Sequence, residues 1–184
     1  AARRQGQPAA LFLEGDFRKY EATSERIMAI LRHRVPLVQQ RSVDEAYFDL
    51  SFTGSTAIAR NLCQQLKQEV RARERLTASV GIGPNKLIAK IASDMQKPDG
   101  LTVIRSDDAE KFLEPLSIRK VPGVGPKTEE LFLKKGVKLV RDLKKLSESE
   151  RREMLGKGGR DLYRMARGSD DSPVVREYEA KSIG

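Results

Sequence analysis

The chain has 184 residues, of which 39% are apolar and 33% are charged. This composition predicts a packed core, formed by one domain or by a domain with a smaller module, and it excludes a disordered chain. No apolar stretch approaches the ~18 residues that span a bilayer, so no membrane partner is expected. The net charge of +9, from 35 basic and 26 acidic residues, favours a polyanionic partner such as nucleic acid over an acidic small substrate.

The sequence up to residue 116 alternates helix and strand patterns. Asp16 is a typical N-cap for the first helix, and Pro36 is expected to end that helix. In the second helix, apolar residues recur at four-residue intervals, at Ile58, Leu62, Leu66 and Val70. The predicted strands are residues 10–13, 37–41, 46–51, 76–82 and 101–104, and the predicted helices are residues 17–34, 56–75, 84–95 and 107–116. This alternation predicts an α+β unit, with helices packed on a small mixed or antiparallel sheet.

Strand patterns disappear from Ser117 onward, where glycines, short helix patterns and basic residues take over. The predicted helices are residues 118–121, 126–135, 139–146 and 148–166, the last with a break at residues 156–159. The final segment, residues 174–184, is polar and is expected to be extended. We therefore predict a boundary near residues 115–120, between an α+β unit and a small all-α unit.

The single cysteine and the single histidine favour a reducing compartment and no zinc site. Cys63 has no partner for a disulfide and lies at helical spacing from apolar residues, which predicts a core position in a cytoplasmic protein. His33 has no second soft ligand near it in the sequence. The chain begins at Ala1, without a methionine or a signal peptide, which predicts that it is a piece of a longer protein.

Two adjacent carboxylates, Asp44 and Glu45, lie between the predicted strands 37–41 and 46–51. Successive residues of a strand face opposite sides, so these carboxylates can converge only if the chain bends there. A shared divalent cation relieves the repulsion between close carboxylates, and oxygen ligands favour Mg²⁺ or Mn²⁺ over zinc. The alternative is a charged turn without a ligand.

Glycines, a predicted helix start and lysines occur together between Gly81 and Gly100. The segment Gly81-Ile82-Gly83-Pro84-Asn85-Lys86 leads into Lys90 and then Lys97. Backbone N–H groups at a helix start and nearby lysines can hold a phosphate. The spacing differs from that of a Walker loop, so packing remains an equal alternative.

The segment Val121-Pro122-Gly123-Val124-Gly125-Pro126-Lys127 predicts a hairpin between two helices. Its two glycines would let the backbone approach a phosphate closely and direct N–H groups toward it, which binds nucleic acid without reading bases. Gly123, Val124, Gly125 and Lys127 are the candidate DNA-binding residues. The alternative is a loop that only joins two packed helices.

These three motifs, in this order and spacing, resemble Y-family DNA polymerases of the DinB or polymerase IV type. Ser42 to Tyr47 resembles the family's palm motif, and Asn85 to Pro98 resembles the palm helix and turn that follow. Val121 to Gly125 resembles the thumb's helix-hairpin-helix, and Lys181 to Gly184 resembles the start of the link to the little finger. The resemblance implies a partial palm at residues 1–116, a thumb at residues 117–173 and the start of a linker at residues 174–184.

The resemblance also implies a function, namely DNA synthesis past lesions with primer-template DNA and deoxynucleoside triphosphates as partners. Asp44 and Glu45 would be catalytic ligands of two Mg²⁺ ions, with Mn²⁺ as a substitute, and Lys97 would contact the triphosphate. A third metal-binding aspartate, the fingers, the little finger and any sliding-clamp contact are expected outside these residues. The fragment alone is expected to bind DNA without polymerase activity.

Two rival functions are weighed against this resemblance. A diguanylate-cyclase-like enzyme would need glycines before the acidic pair, where this chain has Arg41, Ser42 and Val43, and has no use for a helix-hairpin-helix. A non-catalytic DNA-binding module would use only the hairpin, with Asp44 and Glu45 in a structural role.

Overall fold

The structure is a computed structural model that describes residues 13–155 and 158–176. Most of the strand predicted at residues 10–13, part of the predicted break at residues 156–159 and the linker-like residues 181–184 lie outside the described ranges. The helices are α1 (Phe17–Arg34), α2 (Thr56–Glu74), α3 (Lys86–Asp94), α4 (Ala109–Leu113), α5 (Pro126–Lys134), α6 (Glu148–Leu155) and α7 (Gly158–Ala166). None of the helices in these ranges combines the length and the hydropathy that crossing a membrane requires.

The first two helices begin and end as local chemistry dictates. The Asp16 carboxylate accepts a hydrogen bond of 3.1 Å from the backbone N–H of Lys19, and Val35 is extended because Pro36 follows it. Helix α2 is capped by Ser55 and ends at Arg75, which has a φ of 57°. The four-residue apolar pattern does not coincide fully with the core, because Ile58 is 55% exposed and Ala59 is buried.

The four strands form two separate two-stranded sheets in the part of the chain that the structure describes, and the small common sheet that we expected is not seen there. Strand β1 (Val38–Gln40) pairs antiparallel with β2 (Ala46–Phe48), as predicted. Strand β3 (Val80–Ile82) is shorter than predicted and pairs parallel with β4 (Leu101–Val103). Helices and strands are therefore combined in an α+β arrangement, but its sheet is divided.

Helix α3 packs directly on β3 because two glycines remove the side chains between them. A Cβ atom at Gly81 would lie 2.0 Å from the carbonyl oxygen of Ala89, and one at Gly83 would lie 2.7 Å from the side chain of Ile88. The helix starts at Lys86 with Asn85 as its N-cap, so the prediction that Pro84 occupies its first turn was wrong.

Two clusters of buried apolar residues stabilise the fold. One lies between α1, α2 and β1 and includes Met28, Leu31, Val38, Leu66 and Val70. The other continues from α3 and α4 into the segments after Ser117, where its buried members include Ile118, Val121, Val124, Phe132, Val137, Val140, Leu143 and Leu162. The predicted boundary near residues 115–120 stays a prediction, and the second core spans it.

The segments after Ser117 are helical, but two of them are tighter than α-helices. Residues Ile118–Lys120 and Val140–Lys145 are 3₁₀-helices, as are Ser51–Thr53 and Ser106–Asp108 earlier in the chain. The Asp142 carboxylate accepts hydrogen bonds from the N–H groups of Lys138 (3.1 Å) and Leu139 (2.9 Å) and so holds the start of the second segment.

Candidate active site and nucleic-acid interface

A wide, open cleft with a volume of about 1510 Å³ is lined by residues of both sheets. Asp44 and Glu45 reach it from the bend between β1 and β2, and Lys97 reaches it from the turn after α3. The structure thus places three of the predicted site residues on one cleft.

The bend between β1 and β2 presents the two carboxylates to solvent. The N–H groups of Arg41 and Ser42 both donate to the carbonyl oxygen of Glu45, at 2.8 and 3.2 Å, which closes the bend. The Ser42 hydroxyl donates to the Asp44 carboxylate at 2.6 Å. Because both acidic side chains are exposed, they are accessible to a cation from solution.

Glu45 forms an ion pair with Lys90 on α3. Burial disfavours the charged form of Lys90, but the hydrogen bond and the charge of Glu45 outweigh that effect, so the pKa of Lys90 is raised. The Tyr47 ring lies beside these groups, and burial raises the pKa of its hydroxyl while the charge of Lys90 opposes that rise. Glu45, a candidate metal ligand, is therefore paired with Lys90 in the cleft.

The donor set near Asp44 is compatible with a hard cation but provides only part of a coordination shell. Carboxylate oxygens are the ligands that Mg²⁺ takes, usually with one or two carboxylates, water and substrate phosphates. Among residues 13–155 and 158–176, no group of three or more histidine, cysteine, aspartate or glutamate side chains could hold a metal ion. Asp44 and Glu45 thus fit a metal whose other ligands come from substrate, water or other residues.

Lys97 follows α3 on an exposed turn, and its ammonium group lies 2.5 Å from the Asp94 carboxylate. Burial of Asp94 favours its neutral form, but the hydrogen bond from Lys97 and the charges of Lys90 and Lys97 prevail, so the pKa of Asp94 is lowered. The side chain of Lys97 is 57% exposed and can exchange this partner for another anion.

The glycine-rich segment before α3 packs closely against that helix. The N–H groups at the start of α3 are already bonded, so the helix start is not free to bind the phosphate that the sequence suggested. Asn85 caps the N–H of Ile88, and the N–H of Leu87 donates to Asp170 at 3.1 Å. The Lys86 ammonium donates to Gln39 and to the carbonyl oxygen of Pro173. Residues of this chain therefore occupy the groups that a phosphate would need.

The hairpin between residues Ile118–Lys120 and α5 has the expected shape. Gly123 has a φ of +88° with open space where a side chain would be, and Gly125 is the N-cap of α5, with Pro126 in its first turn. At a helix start the first N–H groups have no partner within the helix, so they can donate hydrogen bonds to a bound anion. Lys127 is exposed on the same turn.

Val124 differs from its neighbours because its side chain is buried and only 5% exposed. Its N–H donates to the carbonyl oxygen of Val121 at 3.1 Å, and its own carbonyl oxygen accepts from Arg119 at 2.7 Å. Val124 therefore anchors the hairpin in the core, while the two glycines and Lys127 form its outer surface. Residues 121–127 do not line the cleft that contains Asp44.

Two contributors were missed at the sequence level. The sequence pattern places Ser42 in the acidic motif but does not indicate that its hydroxyl holds the Asp44 carboxylate. Lys67 lies outside the three motifs, yet it is 7% exposed and bonded to the turn at residues 99–100. The available signal for Lys67 was its position among Cys63, Leu66 and Val70, on the buried side of α2.

The described residues form a polymerase-type palm followed by a helical thumb. The model of the impB/mucB/samB family matches residues 1–94, and the model of that family's helix-hairpin-helix motif matches residues 106–137. The chain belongs to this family, that of the Y-family DNA polymerases of the DinB or polymerase IV type. DNA polymerases of the family are metal-dependent.

Individual relatives agree with this assignment. The chain is 42% identical over 176 residues to a DNA polymerase IV of Methanoculleus marisnigri and 40% identical over 177 residues to one of Stenotrophomonas maltophilia. Each alignment covers 96% of this chain and 49% of the relative, so the chain spans about half the length of the curated relatives it matches.

Solved structures give the same result for the fold. DinB from Sulfolobus solfataricus superposes with a TM-score of 0.84 at 32% identity, over 90% of this chain and 50% of that one. An insertion ternary complex of Dbh DNA polymerase superposes with a TM-score of 0.81 at 33% identity, over 86% of this chain and 47% of the other.

Proposed function

We propose that this chain forms part of the palm, and the thumb, of a DNA polymerase that copies templates past lesions. The observation that carries the proposal is that Asp44, Glu45 and Lys97 line one cleft in a chain that also has a glycine hairpin suited to phosphate. The family's helix-hairpin-helix model and relatives named DNA polymerase IV support it. One similar structure is described as a DinB family error-prone DNA polymerase.

In this proposal the cleft is the site of nucleotidyl transfer. The primer 3′-hydroxyl attacks the α-phosphate of a deoxynucleoside triphosphate, a new P–O bond forms, and the bond to pyrophosphate breaks. Asp44 and Glu45 would be two of the ligands of a two-ion Mg²⁺ site, with Mn²⁺ as a substitute, and Glu45 would exchange its Lys90 partner for metal. When bound, the ions neutralise charge on the attacking and leaving oxygens.

Lys97 is the proposed contact for the triphosphate. Its ammonium group exchanges the Asp94 carboxylate for phosphate oxygens, which carry more negative charge. Phosphoryl transfer depends mainly on positioning and charge neutralisation, so a cation at this place assists without entering the covalent chemistry.

The hairpin is the proposed contact for the DNA backbone. Gly123 and Gly125 permit close approach, the first N–H groups of α5 bind a phosphate, and Lys127 adds a positive charge. Such contacts carry no base information, which suits an enzyme that must hold every primer-template.

The test is primer extension by the full-length polymerase with single carboxylate substitutions. Asp44→Asn and Glu45→Gln should each lower the incorporation rate by about a thousandfold or more, because lost metal ligands remove several kcal/mol of transition-state stabilisation. Primer-template affinity should stay near the parental value. Asp49→Asn is the matched control, because Asp49 also lines the cleft but accepts a hydrogen bond from the Ser51 N–H at 2.8 Å. Near-parental incorporation by both test variants would refute the assignment of these carboxylates.

Residues 1–184 by themselves should bind primer-template DNA weakly and should not extend a primer, since the described residues contain no three-acid group for a metal. Because bound lysines and arginines release counterions, log K should fall by roughly 0.9 per phosphate contact for each log unit of salt on duplex DNA. Binding titrations at several salt concentrations and extension assays test both statements. Salt-independent binding, or extension by the fragment, would contradict them.

A further inference from the structure

Lys67 on α2 is a buried lysine that bonds to the turn at residues 99–100. Its ammonium group donates to the carbonyl oxygens of Asp99 and Gly100, the latter at 2.9 Å, and lies 3.0 Å from the Asp99 carboxylate. The residue is 7% exposed, and lysines are almost never buried to this degree unless they are paired. Lys67 therefore ties residues 99–100 to α2.

The turn that Lys67 holds lies next to the proposed triphosphate contact. Asp99 has a φ of +66°, and Gly100 packs so closely on Gln96 that a Cβ atom there would lie 2.4 Å from the Gln96 carbonyl oxygen. The Gly100 carbonyl oxygen also accepts from the N–H of Val80 at 3.0 Å. The turn is thus fixed between α2 and β3, and Lys97 precedes it by two residues.

We propose that Lys67 is a positioning residue for nucleotide binding, a role that rests on the proposed contact between Lys97 and the triphosphate. By holding the turn at residues 99–100, Lys67 fixes the backbone from which Lys97 reaches the cleft. The long side chain of Lys97 then loses less conformational freedom when it binds phosphate oxygens. Lys67 itself does not line the cleft, so it acts through the turn and not by touching substrate.

Arg71 provides a matched control because it contacts the same turn from outside. Its guanidinium group lies 3.1 Å from the Asp99 carboxylate, but its side chain is 68% exposed. Exposed ion pairs contribute little to stability, so the loss of Arg71 should leave the turn at residues 99–100 in place. A role of Lys67 in positioning predicts different results for these two cations, although both contact Asp99.

The experiment is a double-mutant cycle on the full-length polymerase, with the KM for the incoming nucleotide and kcat measured for Lys67→Met, Lys97→Ala and the double variant. Lys97→Ala should raise the KM roughly tenfold and Lys67→Met roughly fivefold, with a smaller change in kcat. The double variant should be no worse than Lys97→Ala alone, because Lys67 acts through Lys97. Arg71→Met should match the parent, and Lys67→Gln replaces Lys67→Met if the latter does not fold.

The possible outcomes separate this proposal from the proposed function. If Lys97→Ala raises the KM but Lys67→Met and Lys67→Gln change only the thermal unfolding temperature, Lys67 is structural and the positioning role is wrong. Multiplicative effects in the double variant would equally exclude action through Lys97. If Lys97→Ala leaves the KM unchanged, the triphosphate contact itself is wrong and the role of Lys67 fails with it.

Discussion

The cleft and the hairpin expose different parts of the chain to their proposed ligands. In the cleft, Asp44, Glu45 and Lys97 extend charged side chains from bends at the surface, and their present partners are other side chains. In the hairpin, Gly123 and Gly125 expose backbone, and the adjoining Val121, Val124 and Phe132 are buried. Substitutions in the cleft should therefore change chemistry with little change in stability, whereas the hairpin depends on its core.

The largest expected effect on stability is that of Phe132→Ala, beneath the hairpin. Phe132 is 0% exposed, and truncation of a buried phenylalanine costs about 3–5 kcal/mol. Urea unfolding of the 184-residue chain would measure this loss. Leu133→Ala, on the same helix but 46% exposed, and Glu45→Ala should each cost less than about 1 kcal/mol. Equal losses for Phe132→Ala and Glu45→Ala would remove the distinction between the two regions.

The next effect concerns DNA binding by the hairpin. Replacement of Gly123 and Gly125 by valine should weaken binding roughly tenfold for unrelated duplexes, because charge-assisted contacts of about 1.5 kcal/mol or more are blocked. Gly136→Val is the control for backbone strain, since Gly136 has a φ of +76° and open space around it but lies outside residues 121–127 and outside the cleft. Fluorescence anisotropy measures these affinities. Parental binding by the double variant would mean that the hairpin only joins two helices.

Acid should lower the stability of the protein by protonating Asp142, which holds the start of the 3₁₀-helix Val140–Lys145. Hydrogen bonds from Lys145 and from the N–H groups of Leu139 and Lys138 lower the pKa of Asp142 to about 2, from its ordinary 3.8. The stabilisation is therefore complete above pH 3.8 and is lost as the pH falls through about 2.

Asp142→Ala should accordingly cost about 1–3 kcal/mol at neutral pH and should reduce the loss of stability on acidification. Unfolding free energies of parent and variant at several pH values would measure this, with the exposed Glu153→Ala as control. An equal acid sensitivity in parent and Asp142→Ala would contradict the assigned role.

The smallest expected effect is that of Lys90→Met in the cleft. Lys90 is partly exposed and pairs with Glu45, so its removal should free the carboxylate and add at most about 1 kcal/mol to cation binding. The Mg²⁺ concentration for half-maximal primer extension should fall by up to about fivefold in the full-length polymerase. A higher Mg²⁺ requirement would indicate that Lys90 assists the metal site.

Local chemistry made parts of this fold predictable. Asp16 and Pro36 predicted both ends of α1, and the Pro-Gly-apolar-Gly pattern predicted the hairpin and the start of α5. The adjacent acids between two strand patterns predicted the bend that exposes Asp44 and Glu45. Each of these features depends on residues close in sequence.

The rest depends on contacts distant in sequence, which periodicity does not encode. Lys67 reaches a turn more than thirty positions away, and the N–H of Leu87 donates to the Asp170 carboxylate, 83 positions away. Similarly, Ile58 fits a helical apolar pattern but is exposed, because neighbouring elements decide which face of α2 is covered.

The most direct test of the division between cleft and hairpin is to measure saturated incorporation rate and primer-template affinity in the same full-length variants. Glu45→Gln should lower the rate by about a thousandfold and leave the affinity near the parental value. The Gly123→Val, Gly125→Val variant should bind roughly tenfold more weakly and, at saturating DNA, should incorporate at a rate near that of the parent. If both variants lose rate and affinity together, the two regions do not have separate roles and the account is wrong.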